Sequence, residues 1–253
     1  MVAADVQPRL QTVVVSQSMY FPWCGLLDQI RQADVFVYYD DVQLVRGFCN
    51  RVQVKTLQGY KWITVPLLRK SQKQLIHNTY INYEEDWVSK HRSILINSYR
   101  QTKFIDDAIA LFDSVHSNKY ERLCELARAS IFALSKYFKL NHSIRFLDST
   151  LLVPPGKSSQ RLCDITKMVD GKIYLTGHGA INYLDHGLFD RNGIEVRYMN
   201  YSIQEYQQVF GAFTPYVTAL DAISHLGTNA NKILNSQTEN WKEAIKRLNK
   251  LQT

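Results

Sequence analysis

Residues suited to binding a ligand are concentrated between Gln17 and Gly25, directly after the β-branched run 12–16. In open α/β sheets, ligands bind at the carboxyl ends of the strands, and a helix that starts there offers free backbone N–H groups to an anion. Gln17, Tyr20 and Trp23 supply one polar and two aromatic side chains. Gly25 lets a ligand approach the backbone closely. The segment predicts a ligand-binding turn, and the alternative is a tightly packed aromatic turn.

A second polar cluster, Asp40, Asp41 and Gln43, ends the next predicted strand. Paired carboxylates can coordinate Mg²⁺, act as a general base or hold sugar hydroxyls. The alternative is a turn in which Asp side chains satisfy backbone N–H groups. Because the two polar strand ends are expected side by side, together they favour a site more than either does alone. No spaced set of His, Cys and Asp residues marks a metal site, so the sequence assigns no metal ligands and leaves metal use open.

Two further candidates follow along the chain. The basic stretch from Arg46 to Lys55 has Asn50 and Arg51 at its centre, and arginine can hold a phosphate or carboxylate through two parallel hydrogen bonds. The alternative is a solvated charged loop. His91 lies on an apolar helical stripe, where a histidine is more often a satisfied core residue than a proton carrier, although its ordinary pKa suits proton transfer.

The last candidate is the glycine-flanked turn Gly177-His178-Gly179, which follows a predicted strand at 173–176. We expect a helix carrying Tyr183 to start after it, so the turn repeats the geometry of the first cluster. His178 is its candidate acid or base. If the tips of separate strands meet, the aromatic–proline turn, the paired aspartates and this histidine share one cavity.

Hydrophobic periodicity predicts an α/β fold with a parallel-sheet core, an inserted β-hairpin and several helices. A strand, a tight turn, a short helix and a second strand at 35–39 form a βαβ unit. We expect one domain over residues 1–253, with a linker-like break at 153–157. The remaining predicted elements are a hairpin within 52–68, helical sequence from 84 to 141, a helix at 161–169, a strand at 194–198, a capped helix from Thr218 to Gly227, and an amphipathic helix over 229–253.

Composition limits the class of protein. Hydrophobic residues make up 45% of the 253, which is typical of a globular chain. Thirty basic and 23 acidic residues give a net charge of +7, which favours an anionic partner such as a nucleotide, a phosphorylated lipid, an acyl carrier or nucleic acid. The alternative is that the charge serves only solubility. The basic residues are dispersed and no nucleic-acid-binding motif is present, so we expect no nucleic-acid partner. Four widely spaced cysteines, the absence of an apolar spanning run and the polar start Met1–Arg9 predict a cytoplasmic protein with reduced thiols.

The motifs together resemble the start of the WbqC-like proteins, and the resemblance spans residues 12–228. Ser18 stands where that family usually has proline, Leu26 replaces its usual aromatic residue, and its usual tryptophan near Phe48-Cys49 is missing. The matching residues are Gln17, Tyr20-Phe21-Pro22-Trp23, Gly25, Ala33-Asp34, Phe36-Val37, Asp40-Asp41-Val42-Gln43, Asn50-Arg51, Trp62, Thr64-Val65-Pro66, Trp87, Lys90-His91, Ser158, Arg161-Leu162, Tyr174-Leu175, Gly177, Tyr183-Leu184, Gly193-Ile194, Phe213, Pro215 and Asp221.

The resemblance implies a role in O-antigen or other surface-polysaccharide synthesis, with transfer of an acyl or aminoacyl group to an amino sugar. We expect the donor to be a thioester of coenzyme A or of an acyl carrier protein, and the acceptor to be a nucleotide-linked sugar. Such a reaction needs a base, for which Asp41 or His91 is suited, and an oxyanion donor near Gly25 or Gly177. Arg51 is suited to holding a phosphate. Cys24 is not expected to be a nucleophile, since the family has no cysteine there.

The opening also resembles the first strand and helix of nucleotidyltransferases and pantothenate-synthetase-like ligases, although their histidines are absent here. That analogy supports a nucleotidyltransferase-like (Rossmann-like) sheet and leaves an ATP-dependent ligase as a second hypothesis. A non-catalytic sugar-nucleotide-binding protein is a third. The sequence leaves the oligomeric state open, and an oligomer is compatible with it.

Overall fold

A computed structural model describes residues 10–45, 47–68, 71, 73–140 and 143–251. Met1–Arg9 and Arg46, which entered the sequence predictions, lie outside the described residues. The described elements follow the predicted order closely in the first half of the chain. The strands are β1 (Thr12–Ser16), β2 (Val35–Tyr38), β3 (Arg51–Thr56), β4 (Gly59–Thr64), β5 (Leu67–Leu68), β6 (Tyr80–Ile81), β7 (Arg145–Asp148), β8 (Ile173–Thr176), β9 (Glu195–Asn200) and β10 (Gln237–Asn240).

The helices begin where capping residues or turns allow them. Asp86 accepts a hydrogen bond from the Ser89 N–H at the start of the second helix, and Thr218 accepts one from the Leu220 N–H at the start of the eighth. The helices are α1 (Cys24–Arg31), α2 (Trp87–Tyr99), α3 (Ile105–His116), α4 (Leu123–Tyr137), α5 (Ser149–Leu152), α6 (Ser158–Met168), α7 (His186–Arg191), α8 (Ala219–Leu226) and α9 (Trp241–Leu251), with 3-10 turns at Ile76–Asn78, His178–Ala180 and Gly227–Ile233.

The central sheet has the strand order β10-β9-β8-β1-β2-β7. The five strands from β9 to β7 are parallel, and only the pairing of β10 with β9 is antiparallel. The chain moves outward from β1 through β2 to β7, and then returns to the other side of β1 with β8 and β9. This order places a topological switch point between β1 and β8, where doubly wound sheets bind ligands.

Both faces of the sheet are buried because alternate residues of each strand point in opposite directions. Val14 and Phe36 face a core shared with α1 to α4 and α8. Val13 and Val35 face a second core shared with α6, α7 and α9. The nearly continuous apolar strands therefore reflect two-sided burial, as the sequence pattern predicts. Among the described residues, no helix has the length and apolar character needed to cross a bilayer.

Two predictions about local structure are wrong. Tyr183 and Leu184 do not belong to a helix, because the turn after β8 forms only the single 3-10 turn His178–Ala180 before α7. The segment from 229 is not one amphipathic helix, because strand β10 pairs with β9 before α9 begins. In the second case, pairing with β9 overrides a helical sequence pattern.

The ends of three strands are joined by a buried carboxylate. Asp40, which is fully buried, accepts hydrogen bonds from the Ser18 backbone N–H at 3.0 Å and from the Ser18 hydroxyl at 2.7 Å. The guanidinium of Arg128, on α4, donates to Asp40 at 2.7 Å and also to Asp148 at the end of β7. A buried carboxylate is tolerated when it is paired and hydrogen-bonded in this way.

We expect Asp40→Ala to lower the free energy of unfolding by about 3 kcal/mol, because it leaves the half-buried Arg128 guanidinium short of one partner. Urea unfolding followed by circular dichroism measures this loss. The matched control is Asp113→Ala, which breaks the exposed Arg92–Asp113 pair and should leave stability close to that of the wild type. Equal losses in the two variants would contradict a special role for Asp40.

Candidate functional site

A cleft of about 890 Å³ opens at the switch point between β1 and β8. Its walls come from the ends of β1, β8 and β9, from the start of α1, and from the loops before β3 and α8. The described lining residues are Val15, Ser16, Met19, Trp23, Leu26, Gln29, Phe48, Thr176, Gly177, His178, Gly179, Ala180, Tyr183, Tyr201, Ser202, Ile203, Glu205, Phe213, Pro215 and Tyr216. A cleft of this size and position is typical of a small-molecule site.

One wall of the cleft is aromatic and is organised by Trp23. The Trp23 ring lies 5.1 Å from the ring of Tyr201 and 5.6 Å from that of Tyr216, measured between centroids. Gly25 makes room for the indole, since a Cβ at that position would lie 2.1 Å from the Trp23 Cη2 atom. The glycine therefore serves the tryptophan that forms the wall.

The turn after β8 brings a histidine to the cleft next to this aromatic wall. His178 lies beside Tyr201, with ring centroids 5.8 Å apart. The Arg247 guanidinium donates to His178 Nε2 at 3.0 Å. Burial and the nearby Arg247 charge lower the pKa of His178. The exposed Tyr183 lines the cleft on the same side.

The paired aspartates lie at the neighbouring strand end and do not line the cleft. Asp40 is held by Ser18 and Arg128, as described above. Asp41 accepts a hydrogen bond from the Ser149 hydroxyl at 2.6 Å and pairs with Arg161 on α6. Both carboxylates thus link helices to the sheet edge, and their role in binding or proton transfer stays a prediction.

Three other predicted residues lie around the segment that precedes β3. Gln17 accepts a hydrogen bond from the Cys49 thiol at 3.5 Å, and the Asn50 amide donates to the Val65 carbonyl at 3.0 Å. Gln43 is exposed and forms an isolated bridge with Leu75. These contacts hold the loop that carries Phe48 into the cleft.

Arg51 is connected to the cleft by two aromatic side chains, Trp62 and Phe48. Its guanidinium lies 4.3 Å from the centre of the Trp62 ring, and that ring lies 5.7 Å from Phe48. Phe48 lines the cleft and is exposed. Arg51 is therefore a half-buried cation next to the cleft mouth, with geometry suited to a cation–π contact.

Tyr20 and His91 form a buried hydrogen-bond chain away from the cleft. The Tyr20 hydroxyl lies 3.2 Å from His91 Nδ1 and 3.1 Å from His116 Nε2. His91 also hydrogen-bonds to the backbone of Thr64. Since that backbone contact raises the pKa of His91, the imidazole is the donor there, so its Nδ1 accepts from the tyrosine and the hydroxyl oxygen accepts from His116. Both ring nitrogens of His91 are then engaged.

A second buried network positions the loop that carries Phe213 and Tyr216. The Lys55 amine donates to the Gln208 side-chain oxygen at 3.0 Å and to the Ala212 carbonyl at 2.5 Å. Gln208 in turn donates to Asp221 at 3.0 Å, within α8. Burial lowers the pKa of Lys55 and raises that of Asp221. This loop closes the aromatic side of the cleft.

The structure brings Trp23, Gly177, His178 and Tyr183 together in one cleft, while the remaining predicted residues support or flank it. Sequence reasoning missed Tyr201, Glu205 and Tyr216. Tyr201 directly follows β9, so it could have been found from the rule that residues at the ends of parallel strands contact ligands. Glu205 and Tyr216 lie on irregular loops without such a signal. Among the described residues, no group of three or more His, Cys, Asp or Glu side chains is placed to hold a metal ion.

The fold and cleft define a class: an α/β protein whose mostly parallel sheet opens a small-molecule cleft at its switch point. The chain belongs to the WbqC-like protein family, which matches residues 17–233. It is similar to an uncharacterized protein of Mycobacterium tuberculosis, with 32% identity over 225 residues that cover 87% of this chain and 96% of the relative. No solved structure matches the chain.

Gly25→Ala should displace the Trp23 indole, because the new Cβ would clash with the ring. The free energy of unfolding should stay within about 1 kcal/mol of wild type, since the higher helix propensity of alanine offsets part of the cost of that clash. The protein labelled with 5-fluorotryptophan reports this by ¹⁹F NMR, where Trp23→Phe assigns one of the four tryptophan signals. Gly179→Ala is the control, because a Cβ there meets open space. An unmoved Trp23 signal in Gly25→Ala would refute the packing argument.

The free energy of unfolding should fall in mild acid, because the buried hydrogen-bond chain of Tyr20, His91 and His116 requires neutral histidines. Burial, together with the nearby His116, lowers the pKa of His91 from 6.5 to about 4. The folded pKa lies below the unfolded one, so the unfolded state binds protons first and stability is lost as pH falls from 6.5 toward 4. Between pH 7.5 and 5, wild type should lose about 2 kcal/mol more than His91→Gln, as urea unfolding measures. Equal losses in the two proteins would disprove this.

Proposed function

We propose that the protein is an enzyme of O-antigen or other surface-polysaccharide biosynthesis that transfers an acyl or aminoacyl group to the amino group of a nucleotide-linked amino sugar. The observation that carries the proposal is the switch-point cleft, which combines an aromatic wall with His178 and Glu205. Its volume of about 890 Å³ lies in the range of small-molecule sites. The polysaccharide context is the one that the resemblance to WbqC-like proteins implies.

The aromatic wall supports binding of a sugar or a nucleobase. Trp23, Tyr201 and Tyr216 present ring faces and hydroxyl groups, which suits a ligand that is apolar on its faces and polar at its edges. Arg51, next to Phe48 at the mouth, is placed to meet a pyrophosphate that extends out of the cleft. The nucleotide-linked sugar therefore occupies the cleft with its amino group inside.

The chemistry requires a proton acceptor and a donor to the developing oxyanion. The sugar amine attacks the carbonyl carbon of a thioester, a C–N bond forms, and the C–S bond breaks. Glu205, the only Asp or Glu among the described lining residues, takes the proton from the amine, and the thiolate leaving group is protonated to a thiol. His178 and the backbone N–H groups of the turn after Gly177 stabilise the oxyanion. Asp41 and His91 remain predictions as bases, and neither lines the cleft.

The donor in this proposal is a thioester of coenzyme A or of an acyl carrier protein, which agrees with the net charge of +7. An ATP-dependent ligase of nucleotidyltransferase-like fold is less well supported. Activation by ATP needs several cations around the reacting phosphate, whereas the described lining residues include no Lys or Arg and Arg51 lies outside the lining, next to Phe48 at the mouth. A protein that binds a sugar nucleotide without turnover is the remaining alternative.

Incubation of the purified protein with amino-sugar nucleotides and acyl or aminoacyl thioesters should yield an amide product with release of a free thiol, detected by mass spectrometry and a thiol reagent. Glu205→Gln should lower turnover at least tenfold while sugar-nucleotide affinity stays within about twofold, because a general base contributes 10²–10⁴-fold to rate in typical cases. The control is Glu243→Gln, which removes an exposed acid on α9.

The same sugar nucleotides carrying a hydroxyl in place of the amine should give no amide. Binding without product across the panel would favour the non-catalytic alternative. ATP consumption that depends on a carboxylate substrate would favour the ligase. Failure of the folded protein to bind any sugar nucleotide would exclude the proposal.

A further inference from the structure

The C-terminal helix α9 contacts a cleft residue through Arg247. Arg247 lies on α9, which follows the family-matched residues 17–233, and its guanidinium Nη2 lies 3.0 Å from His178 Nε2. Three hydrogen bonds to Glu239 hold the guanidinium in place: Nε donates to Oε1 at 3.0 Å and to Oε2 at 3.3 Å, and Nη2 donates to Oε1 at 2.5 Å. Glu239 is itself fixed on β10, where it pairs with Tyr198 of β9. A cleft residue is thus tied to the last strand and helix of the chain.

The chemistry of this contact determines where the imidazole carries its proton. Arginine has five N–H donors and no acceptor, and it is not deprotonated in proteins. His178 Nε2 must therefore accept the hydrogen bond, so the ring is neutral and its proton is on Nδ1. In water the neutral imidazole of histidine favours the opposite tautomer, with the proton on Nε2. The contact with Arg247 reverses that preference.

We propose that Arg247 is a positioning residue that holds His178 as the neutral Nδ1–H tautomer and so makes it a hydrogen-bond donor for a ligand in the cleft. This inference rests on the proposed function only for the identity of the ligand group, an oxyanion or carbonyl oxygen. Because Nε2 is engaged, His178 does not take the amine proton, which agrees with the assignment of that step to Glu205.

The charges around His178 act in the same direction. Arg247 faces it from α9 and opposes a second proton on the ring, and Glu239 on β10 partly offsets that effect. Tyr201 contacts the ring edge from the loop after β9. Glu205, Tyr183 and Tyr216 are the other titratable residues described along the cleft. Protonation of His178 would leave two donors facing each other at the Arg247 contact.

The test uses the full-length protein labelled with ¹⁵N at histidine and needs no substrate. The ¹⁵N shifts of His178, assigned by loss in His178→Gln among seven histidines, should show a protonated Nδ1 and an unprotonated Nε2. In Arg247→Met the major tautomer should switch to Nε2–H, and the pKa of His178 should rise toward that of a free histidine. Arg247→Lys should restore the Nδ1–H form, because an ammonium group is also a donor only.

Lys246→Met is the matched control, since it removes the same charge from an exposed neighbouring position and should change neither tautomer nor pKa. A wild-type His178 with its proton on Nε2, or an Arg247→Met protein whose His178 tautomer is unchanged, would overturn the inference. If Arg247→Met does not fold, Arg247→Gln takes its place, because its amide oxygen can accept a hydrogen bond from Nε2–H and the Nδ1–H form should then no longer dominate. If the His178 tautomer does not depend on Arg247 but the wild-type protein forms the amide, only this inference is refuted. If the tautomer does depend on Arg247 but no amide is formed, only the proposed reaction is refuted.

Discussion

The buried carboxylate of Asp40 imposes the constraint on which the ligand-binding edge of the sheet depends. A charge with no exposed surface is stable in the fold only if it is fully paired, and here Ser18 and Arg128 supply the partners. Ser18 follows β1, Asp40 follows β2, and Arg128 also binds Asp148 at the end of β7. One arginine, through two ion pairs, therefore fixes three strand ends relative to α4. Asp41 and Arg161 extend the same arrangement to α6.

With that side of β1 closed by ion pairs, the opening lies on the other side, between β1 and β8. The loop after β1 must turn sharply to reach it, and Phe21 adopts a left-handed φ of 40° there. The cost of that conformation is offset by a hydrogen bond from the Phe21 N–H to Ser130 and by stacking on Phe112. The turn delivers Trp23 to the cleft, where Gly25 accommodates its ring. Backbone strain and side-chain packing thus form the aromatic wall together.

Much of the fold is predictable because its signals are local. The apolar runs of β1, β2 and β8, the hairpin around Gly59, and the Thr218 cap with its Gly227 stop all occur where the sequence indicates. Strands β7 and β10 escape prediction since they are four-residue edge strands without an apolar run: β7 has only Phe146 and Leu147 between two charged residues, and all four residues of β10 are polar. Their positions follow from pairing with β2 and β9. The antiparallel edge strand that carries Glu239 therefore cannot be predicted from the hydrophobic pattern of the sequence.

The sequence by itself determined the two-sided burial of the strands and the segments that reach the ligand-binding edge, since both depend on residue spacing within a few positions. It also determined the family, through a series of short motifs along the chain. The tertiary structure alone decided which of the candidate side chains still have hydrogen-bonding capacity to offer a ligand. Asp40 is bound by an arginine 88 residues away, Asp41 by one 120 residues away, and His178 by one 69 residues away. A carboxylate or imidazole has a fixed number of donors and acceptors, and long-range packing decides which of them are used within the protein.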